Sequence, residues 1–492
     1  MKGLAYIDSA IILLYLTSMV VVGLWVGRKG RTSDYFMSAG RSLPGWAVGL
    51  SIFGTYVSSI SFLALPGKSY SSNWNTFVFS LSIPVTTWLA VRFFVPFYRR
   101  SGEVSAYSHF EHRFGPWART YAVICYLLTQ LARMGTIMYL LALALTPMTG
   151  LSIVTLILIT GIIVIVYTII GGMEAVIWTD VVQSIVLIGG ALVCVLILFL
   201  GMPQGSGQIF QIAVQYDKLS LGSFGTSLSD STFWVVLIYG IFINLQNFGI
   251  DQSYVQRYFT ARTDYEAVKS VWLGAMLYLP ISAVFFFIGT QLFAFYIAQP
   301  DLLPVGIKPD QVFPHFIATG LPVGIGGIVI AAILAAAQST LSSSINCSAT
   351  LILCDLYRRY LRPDAPERES MLVLRIATLL IGTAGTLTAM AMIRVKSALD
   401  AWWELAGIFS GGMLGLFLLG IISRHARNAA AVTGVTIGVL LICWMSLSPN
   451  WTGSWAFYRS PFHKFMIIVI GTITILLVGL LVSRFTSYSG RR

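Results

Sequence analysis

Charge is scarce in this chain. Only 10% of its 492 residues are Asp, Glu, Lys or Arg, against about 25% in an average soluble domain, and the shortfall excludes an ordinary soluble protein. Histidine is rare too: His109, His112, His315, His425 and His463 fall in or near loops and form no His-Glu pair within an apolar run. A proton relay through membrane histidines therefore finds no support. The five cysteines, Cys125, Cys194, Cys347, Cys354 and Cys443, lie within or at the ends of apolar runs without paired spacing. Neither a disulfide framework nor a metal centre is indicated. Long polar tracts are missing as well; the widest gap between apolar runs, about 201–231, is a loop rich in Gly and Ser.

What the chain has instead is apolar length. Hydrophobic residues make up 57% and mean hydropathy is +0.81, in recurring runs of about 20 residues, each long enough as a helix to cross about 30 Å of hydrocarbon. An all-α polytopic membrane protein is expected. Spans are placed near 8–27, 46–70, 75–98, 118–146, 151–170, 174–200, 232–256, 271–297, 321–357, 372–393, 402–422, 429–448 and 463–484, about thirteen in all. The first is too long for a signal peptide and runs into Arg28, Lys29 and Arg31, so it is read as a retained span.

The net charge of +12 is spread in short clusters rather than one stripe, which favours a topology signal over nucleic-acid binding. Arg28, Lys29, Arg31 and Arg41, Arg99, Arg100, Arg113 and Arg119, and Arg257, Arg262 and Lys269 fall in alternate loops, as do Arg358, Arg359, Arg362, Arg368, Arg424, Arg427, Arg484, Arg491 and Arg492. The opposite loops hold only Lys2, Lys68, Lys218, Lys308, Arg394, Lys396, Arg459 and Lys464. The positive-inside rule then puts the N-terminus outside and the C-terminus in the cytoplasm. Trp74, Trp402, Trp403, Trp451 and Trp455 near span ends read as interfacial anchors.

Two spans are wrong for simple lipid-facing helices. Gly49 to Ser61 and Asn244 to Asp251 are dense in Gly and hydrogen-bonding side chains, and backbone leaves the helix at membrane depth only where protein or a wet cavity satisfies it. Close helix packing through small residues explains either one alone. Each, however, begins a block of five spans, 46–200 and 232–422, and an odd number per block inverts the second relative to the first. Around these blocks lie 1–45 (first span and inner loop), the 201–231 outer loop, and 423–492 with two further spans. Inverted five-helix repeats with broken first helices point to a carrier.

The ninth span carries Ala335 to Ser344, in which Ser339, Thr340, Ser342 and Ser343 share one helical face. Sodium, a hard cation, suits such neutral oxygens together with carbonyls freed at a helix break. Serines bonding back to their own helix are the plainer account. Asp180 sits about a turn and a half into the sixth span, where a carboxylate needs a partner and marks an ion path by default; an acid favoured by the helix N-terminus describes Glu174 better. Arg133, in the middle of the fourth span, would fit a substrate carboxylate with its bidentate fork, or else backbone carbonyls at a break. Arg92 lies near enough to the interface to snorkel.

Gly40 to Trp46, Ser58 to Phe62, Gly171 to Gln183, Asn244 to Tyr258 and Ala331 to Asn346 resemble the sodium:solute symporter family, most closely its bacterial sialic acid branch. The resemblance implies a LeuT-like fold and alternating access in a bacterial inner membrane. It implies one sodium site from the carbonyls of Gly54, Val57 and Ala336 with the hydroxyls of Ser339 and Thr340, and a second from Asp180, Ser339, Ser342 and Ser343, hence two sodium ions. For the substrate it implies Arg133 on the carboxylate, with Tyr56, Ser58, Ser61, Thr76, Phe77, Ser80 and Asn247 around it. Tyr56 replaces a smaller hydroxyl residue and Ser80 a glutamine, so another sugar or small organic acid remains an alternative to sialic acid. Partners are thus sodium, a small acidic solute and the bilayer, with no nucleic acid and no obligate protein partner. A channel would want ring symmetry rather than an internal repeat, and an enzyme a nucleophile-base pair within the spans.

Overall fold

A computed structural model of the chain describes residues 5–27, 32–395 and 398–489. Lys2, Arg28, Lys29, Arg31, Lys396, Arg491 and Arg492, which bear on sidedness, lie outside these residues, as does the side chain of Trp403. In hydrocarbon every backbone N–H and C=O must be paired internally, and the apolar runs accordingly become helices: α1 (Tyr6–Gly27), α2 (Gly45–Tyr56), α3 (Ser59–Ser71), α4 (Trp74–Ser101), α5 (Pro116–Thr149), α6 (Ile153–Leu200), α7 (Phe233–Ile250), α8 (Gln252–Thr260) and α9 (Asp264–Ala298). After a surface helix α10 (Pro309–Thr319) come α11 (Ile325–Leu361), α12 (Glu367–Met392), α13 (Ala398–Ile422), α14 (Asn428–Leu447) and α15 (Met466–Ser489).

Eleven helices are long and apolar enough to cross a bilayer, and α2 with α3, bent by 54°, form a twelfth crossing. The 48 residues of α6 would span about 72 Å as one rod, more than twice the hydrocarbon thickness. That rod is broken at Gly172, where φ is 55° and ψ −148°. It therefore supplies two crossings, which brings the described residues to the thirteen expected. A side chain is excluded at Gly172 twice over, by its backbone angles and because a Cβ would fall 2.7 Å from the Phe36 carbonyl oxygen.

The second crossing opens where its sequence is richest in Gly and Ser. Helical dihedrals end at Val57 (φ −86°, ψ 120°), and Ser58 starts α3 through a reciprocal capping box with Ser61. The seventh crossing departs from expectation: α7 stays helical through Asn244–Ile250, and only Asp251 (φ −75°, ψ 121°) leaves the helix. Its carboxylate accepts the Ser253 N–H at 2.7 Å and so caps α8. Asn244 before it is satisfied sideways, its amide donating to Ser82 Oγ at 2.9 Å and accepting from the Tyr56 hydroxyl. No backbone opening is needed to serve Asn244.

Two ties hold these pieces in place. Asp8 Oδ1 accepts the N–H groups of Gly324 and Gly327 at 2.8 and 2.7 Å, fixing α1 to the head of α11. Leu43, just before α2, forms a parallel bridge with Ala261, just after α8. Every residue of α11 from Val329 to Leu351 is buried, so its hydroxyl run faces protein on all sides rather than lipid.

Candidate substrate cavity and ion sites

Between the break of α2 and α3 and the helices around it lies a cavity of about 780 Å³. Tyr56, Ser58 and Ser61 line it from the broken crossing, Thr129, Gln130 and Arg133 from α5, Gln246 and Asn247 from α7, Asp251 from the second break and Tyr278 from α9. It opens past Ser229, Ser460 and His463, on the face carrying the Gly- and Ser-rich loop. On the opposite face α8 closes the way. Gln256 donates to Met37 O (2.8 Å), Thr350 Oγ1 (3.0 Å) and Asn346 Oδ1 (3.1 Å), all buried. Beyond it Arg119 and Arg359 share Glu111, at 2.9 and 2.7 Å, and Arg119 also pairs with Asp355.

Arg133 is half-buried on the cavity wall, and one Nη donates to the Thr55 carbonyl at 3.1 Å, beside the break. A guanidinium has five N–H donors. The carbonyl takes one and leaves the rest of the fork for a ligand, so both readings of Arg133 meet in one geometry. Among the residues named from the sequence, Tyr56, Ser58, Ser61, Arg133 and Asn247 border the cavity, whereas Thr76, Phe77 and Ser80 do not. Phe77 packs edge-on against Trp74 and Phe286, and Ser80 hydrogen-bonds Ser282 at 2.8 Å. A 3₁₀ start over Trp74–Phe77 advances about 120° per residue instead of 100° and changes which side chains α4 presents; Phe79 faces the cavity instead.

Trp402 also corrects an expectation, for it lines the cavity rather than anchoring at an interface. Thr129, Gln130 and Tyr278 do not stand out in the sequence as site residues, and Gln246 and Asp251 do so only as members of the polar stretch Asn244 to Asp251. A signal for the α5 set is nonetheless present: Thr129 and Gln130 precede Arg133 by four and three residues and so share its face of a mostly apolar helix.

The oxygens named for the first ion site converge. Thr340 Oγ1 lies 3.4 Å from the Ala336 carbonyl oxygen and 3.5 Å from that of Val57, which the break has left outside the helix ladder. Gly54 packs on Ser339, where a Cβ would come within 2.8 Å of Ser339 Oγ. The second set is also adjacent: Ser339 donates to Asp180 Oδ1 at 2.6 Å, while Ser342 and Ser343 bond back to the Ser339 carbonyl at 3.2 and 2.8 Å. Back-bonding to the helix's own carbonyls thus covers Ser342, Ser343 and, at 3.4 Å to Ala336 O, Thr340, and leaves Ser339 bonded to another helix.

One residue among these oxygens reads in the sequence as an inner-loop charge, and the structure corrects this. Arg257 on α8 is wholly buried, 2.8 Å from Asp180 Oδ2. Asp180 therefore has a protein cation as its partner.

A family model for the sodium:solute symporter family matches residues 35–438. The chain belongs to that family. Two relatives of the symporter are the sodium/sialic acid symporter SiaT of Proteus mirabilis, 34% identical over 96% of this chain and 94% of that one, and the sodium/sialic acid symporter NanT of Aliivibrio fischeri, 32% identical over 95% and 91%. A solved Na+-coupled sialic acid symporter, in a substrate-bound outward-open state with a novel Na+ site, superposes with a TM-score of 0.91 at 32% identity, covering 98% of each chain. The symporter accordingly has the LeuT-like fold, and it is a multi-pass sodium-coupled carrier of a small solute rather than an enzyme.

Proposed function

We propose that this protein imports sialic acid, or a closely similar acidic sugar, driven by inward sodium flow through alternating access. The observation carrying the reading is Arg133, half-buried on a cavity wall with most of its donors unspent and the hydroxyls of Ser58 and Ser61 lining the same cavity. A carboxylate would take the guanidinium fork, and ring or tail hydroxyls would meet Tyr56, Ser58, Ser61, Gln246 and Asn247. Gln246 suits this role, since its Oε1 is buried without a partner. That relatives and a solved neighbour carry sialic acid supports the same solute here.

Sodium would bind first, to the carbonyls of Gly54, Val57 and Ala336 with Ser339 and Thr340, pinning the break of α2 and α3 against α11. A second ion would use Asp180, Ser339, Ser342 and Ser343, giving two sodium ions per solute. With the N-terminus outside, the cavity faces outward here, and α8 with the Arg119 cluster is the inner gate. The blocks 46–200 and 232–422 act as the inverted repeats whose relative rocking exchanges the two openings.

Uptake of labelled sialic acid into proteoliposomes tests this. Accumulation is expected only with an inward sodium gradient. Uptake indifferent to sodium, or current far above solute flux, would exclude coupled import.

A further inference from the structure

The oxygens assigned to the second sodium are already in use. Arg257 Nη2 lies 2.8 Å from Asp180 Oδ2 and 2.6 Å from Ser343 Oγ, Nε donates to Ser51 Oγ at 2.8 Å, and Nη1 donates to the Ser253 carbonyl. Both Arg257 and Asp180 are sealed from solvent. Two of the four proposed ligands, Asp180 and Ser343, are therefore engaged by a guanidinium. A sodium ion touching either oxygen would stand within a few ångströms of that guanidinium, and two positive charges so close in a dry interior repel strongly. Withdrawing the guanidinium without a replacement is equally unfavourable, because it strands a buried carboxylate. One cation at a time fits here.

We propose that Arg257 is the surrogate cation of the second sodium site: it holds Asp180 and Ser343 while the ion is away and gives them up when sodium arrives. This rests on the two-sodium reading above. It is a positioning role, because Arg257 sits on α8, the element that closes the face opposite the cavity mouth, while the groups it holds belong to α2 (Ser51), α6 (Asp180) and α11 (Ser343). Exchanging guanidinium for sodium removes the strongest tie between α8 and those three helices. The other ties of α8 include those of Gln252 and Gln256 to Val104, Ala106, Met37, Asn346 and Thr350, of Ser253 to Tyr126, of the Tyr258 carbonyl to Arg99 and of the Thr260 carbonyl to Leu43 N–H, and none of these touches Asp180 or Ser343. Occupation of the site is thereby transmitted to the inner gate, and the incumbent arginine keeps the affinity for the second ion low enough for it to leave.

The test uses the purified full-length transporter, with apparent melting temperature read against sodium or potassium chloride without substrate, alongside the sodium dependence of uptake. In Arg257→Gln, Asp180 has lost its cation. Sodium, and not potassium, should then restore much of the lost melting temperature, with a half-saturating concentration at least about tenfold below wild type. In the Asp180→Asn, Arg257→Gln double variant this sodium-specific rescue should vanish. Rescue equal in potassium, rescue surviving in the double variant, or no tightening of sodium binding would overturn the proposal. If Arg257→Gln is not recovered in either salt, Arg257→Lys decides: a weaker, single-point incumbent should lower the half-saturating sodium concentration, and an unchanged value would overturn it. Asp180→Asn alone separates the two levels. A sodium Hill coefficient unaltered in that variant removes the second site itself, whereas a lowered coefficient without tighter sodium binding in the Arg257 variants removes only the surrogate role.

Discussion

Asp8 Oδ1, near the start of the first helix, accepts two backbone N–H groups from the glycine-rich head of α11, those of Gly324 and Gly327. A carboxylate at a helix N-terminus is favoured by the helix dipole as well as by the hydrogen bonds. The helix bearing Ser339, Thr340, Ser342 and Ser343 is thus held at one end by the first span. Asp8→Ala should cost about 2–3 kcal/mol of stability, and Asp8→Asn, which keeps an acceptor, about half of that. Melting curves of the purified variants check the order; equal melting temperatures for all three proteins would contradict it.

Arg133→Ala should weaken binding of an acidic solute at least about 100-fold, since losing one side of a hydrogen-bonded charge pair costs about 2–5 kcal/mol. Arg133→Lys should recover only part of that loss, because an ammonium lacks the planar fork. Calorimetric titration measures both. Retained affinity in the alanine variant would leave Arg133 as a clamp on Thr55 alone.

Thr340→Val keeps most of the side-chain volume and deletes one oxygen from the cluster with Val57 O and Ala336 O. One ion–oxygen contact of about 1–2 kcal/mol predicts a rise of about tenfold in the sodium concentration for half-maximal uptake, with the solute's maximal rate little changed. Ser348→Ala, on the same helix but outside both oxygen clusters, is the control and should leave the sodium curve in place.

His109 gives a pH dependence with a definite sign. Burial, and then the nearby Arg113 and His112, push its imidazole from 6.5 down to about 4; Phe97 packs on the ring at 4.9 Å. Between those values the unfolded chain binds more protons than the folded one, so stability falls as pH drops through the window from about 6.5 to about 4. The apparent melting temperature of the wild type should decline over that range, and that of His109→Leu should decline less. Parallel curves would refute the assignment.

Length and composition are enough to expect thirteen crossings. The Gly- and Ser-rich stretch from Gly49 to Ser61 marks the first break, because a simple lipid-facing helix has no use for so many hydrogen-bonding groups at membrane depth. Asp180 and Ser339 each stand out as anomalous in an apolar run, and it is the family resemblance that pairs them. Arg257 does not stand out. A positive charge immediately after the expected 232–256 span reads as a loop charge, and only the packing of α8 back into the protein turns it inward. A fainter signal is present: Gln252, Gln256 and Thr260 recur every fourth residue around Arg257, a polar stripe that a solvated loop does not need. Trp402 misleads for a similar reason, since proximity to a span end does not say whether a ring faces lipid or a cavity. The turning away of Thr76, Phe77 and Ser80 depends on a local 3₁₀ winding that no composition rule reveals.

The bridge between Leu43 and Ala261 is made wholly by main-chain atoms, Leu43 N to Thr260 O at 3.0 Å and Arg262 N to Leu43 O at 3.1 Å. Side-chain replacement short of proline leaves such a join intact. However far α8 swings, the start of α2 must swing with it, so the half-helices leading to the two discontinuities share one lever arm. Selection can rework which solute fits between them while the linkage that transmits the stroke stays the same.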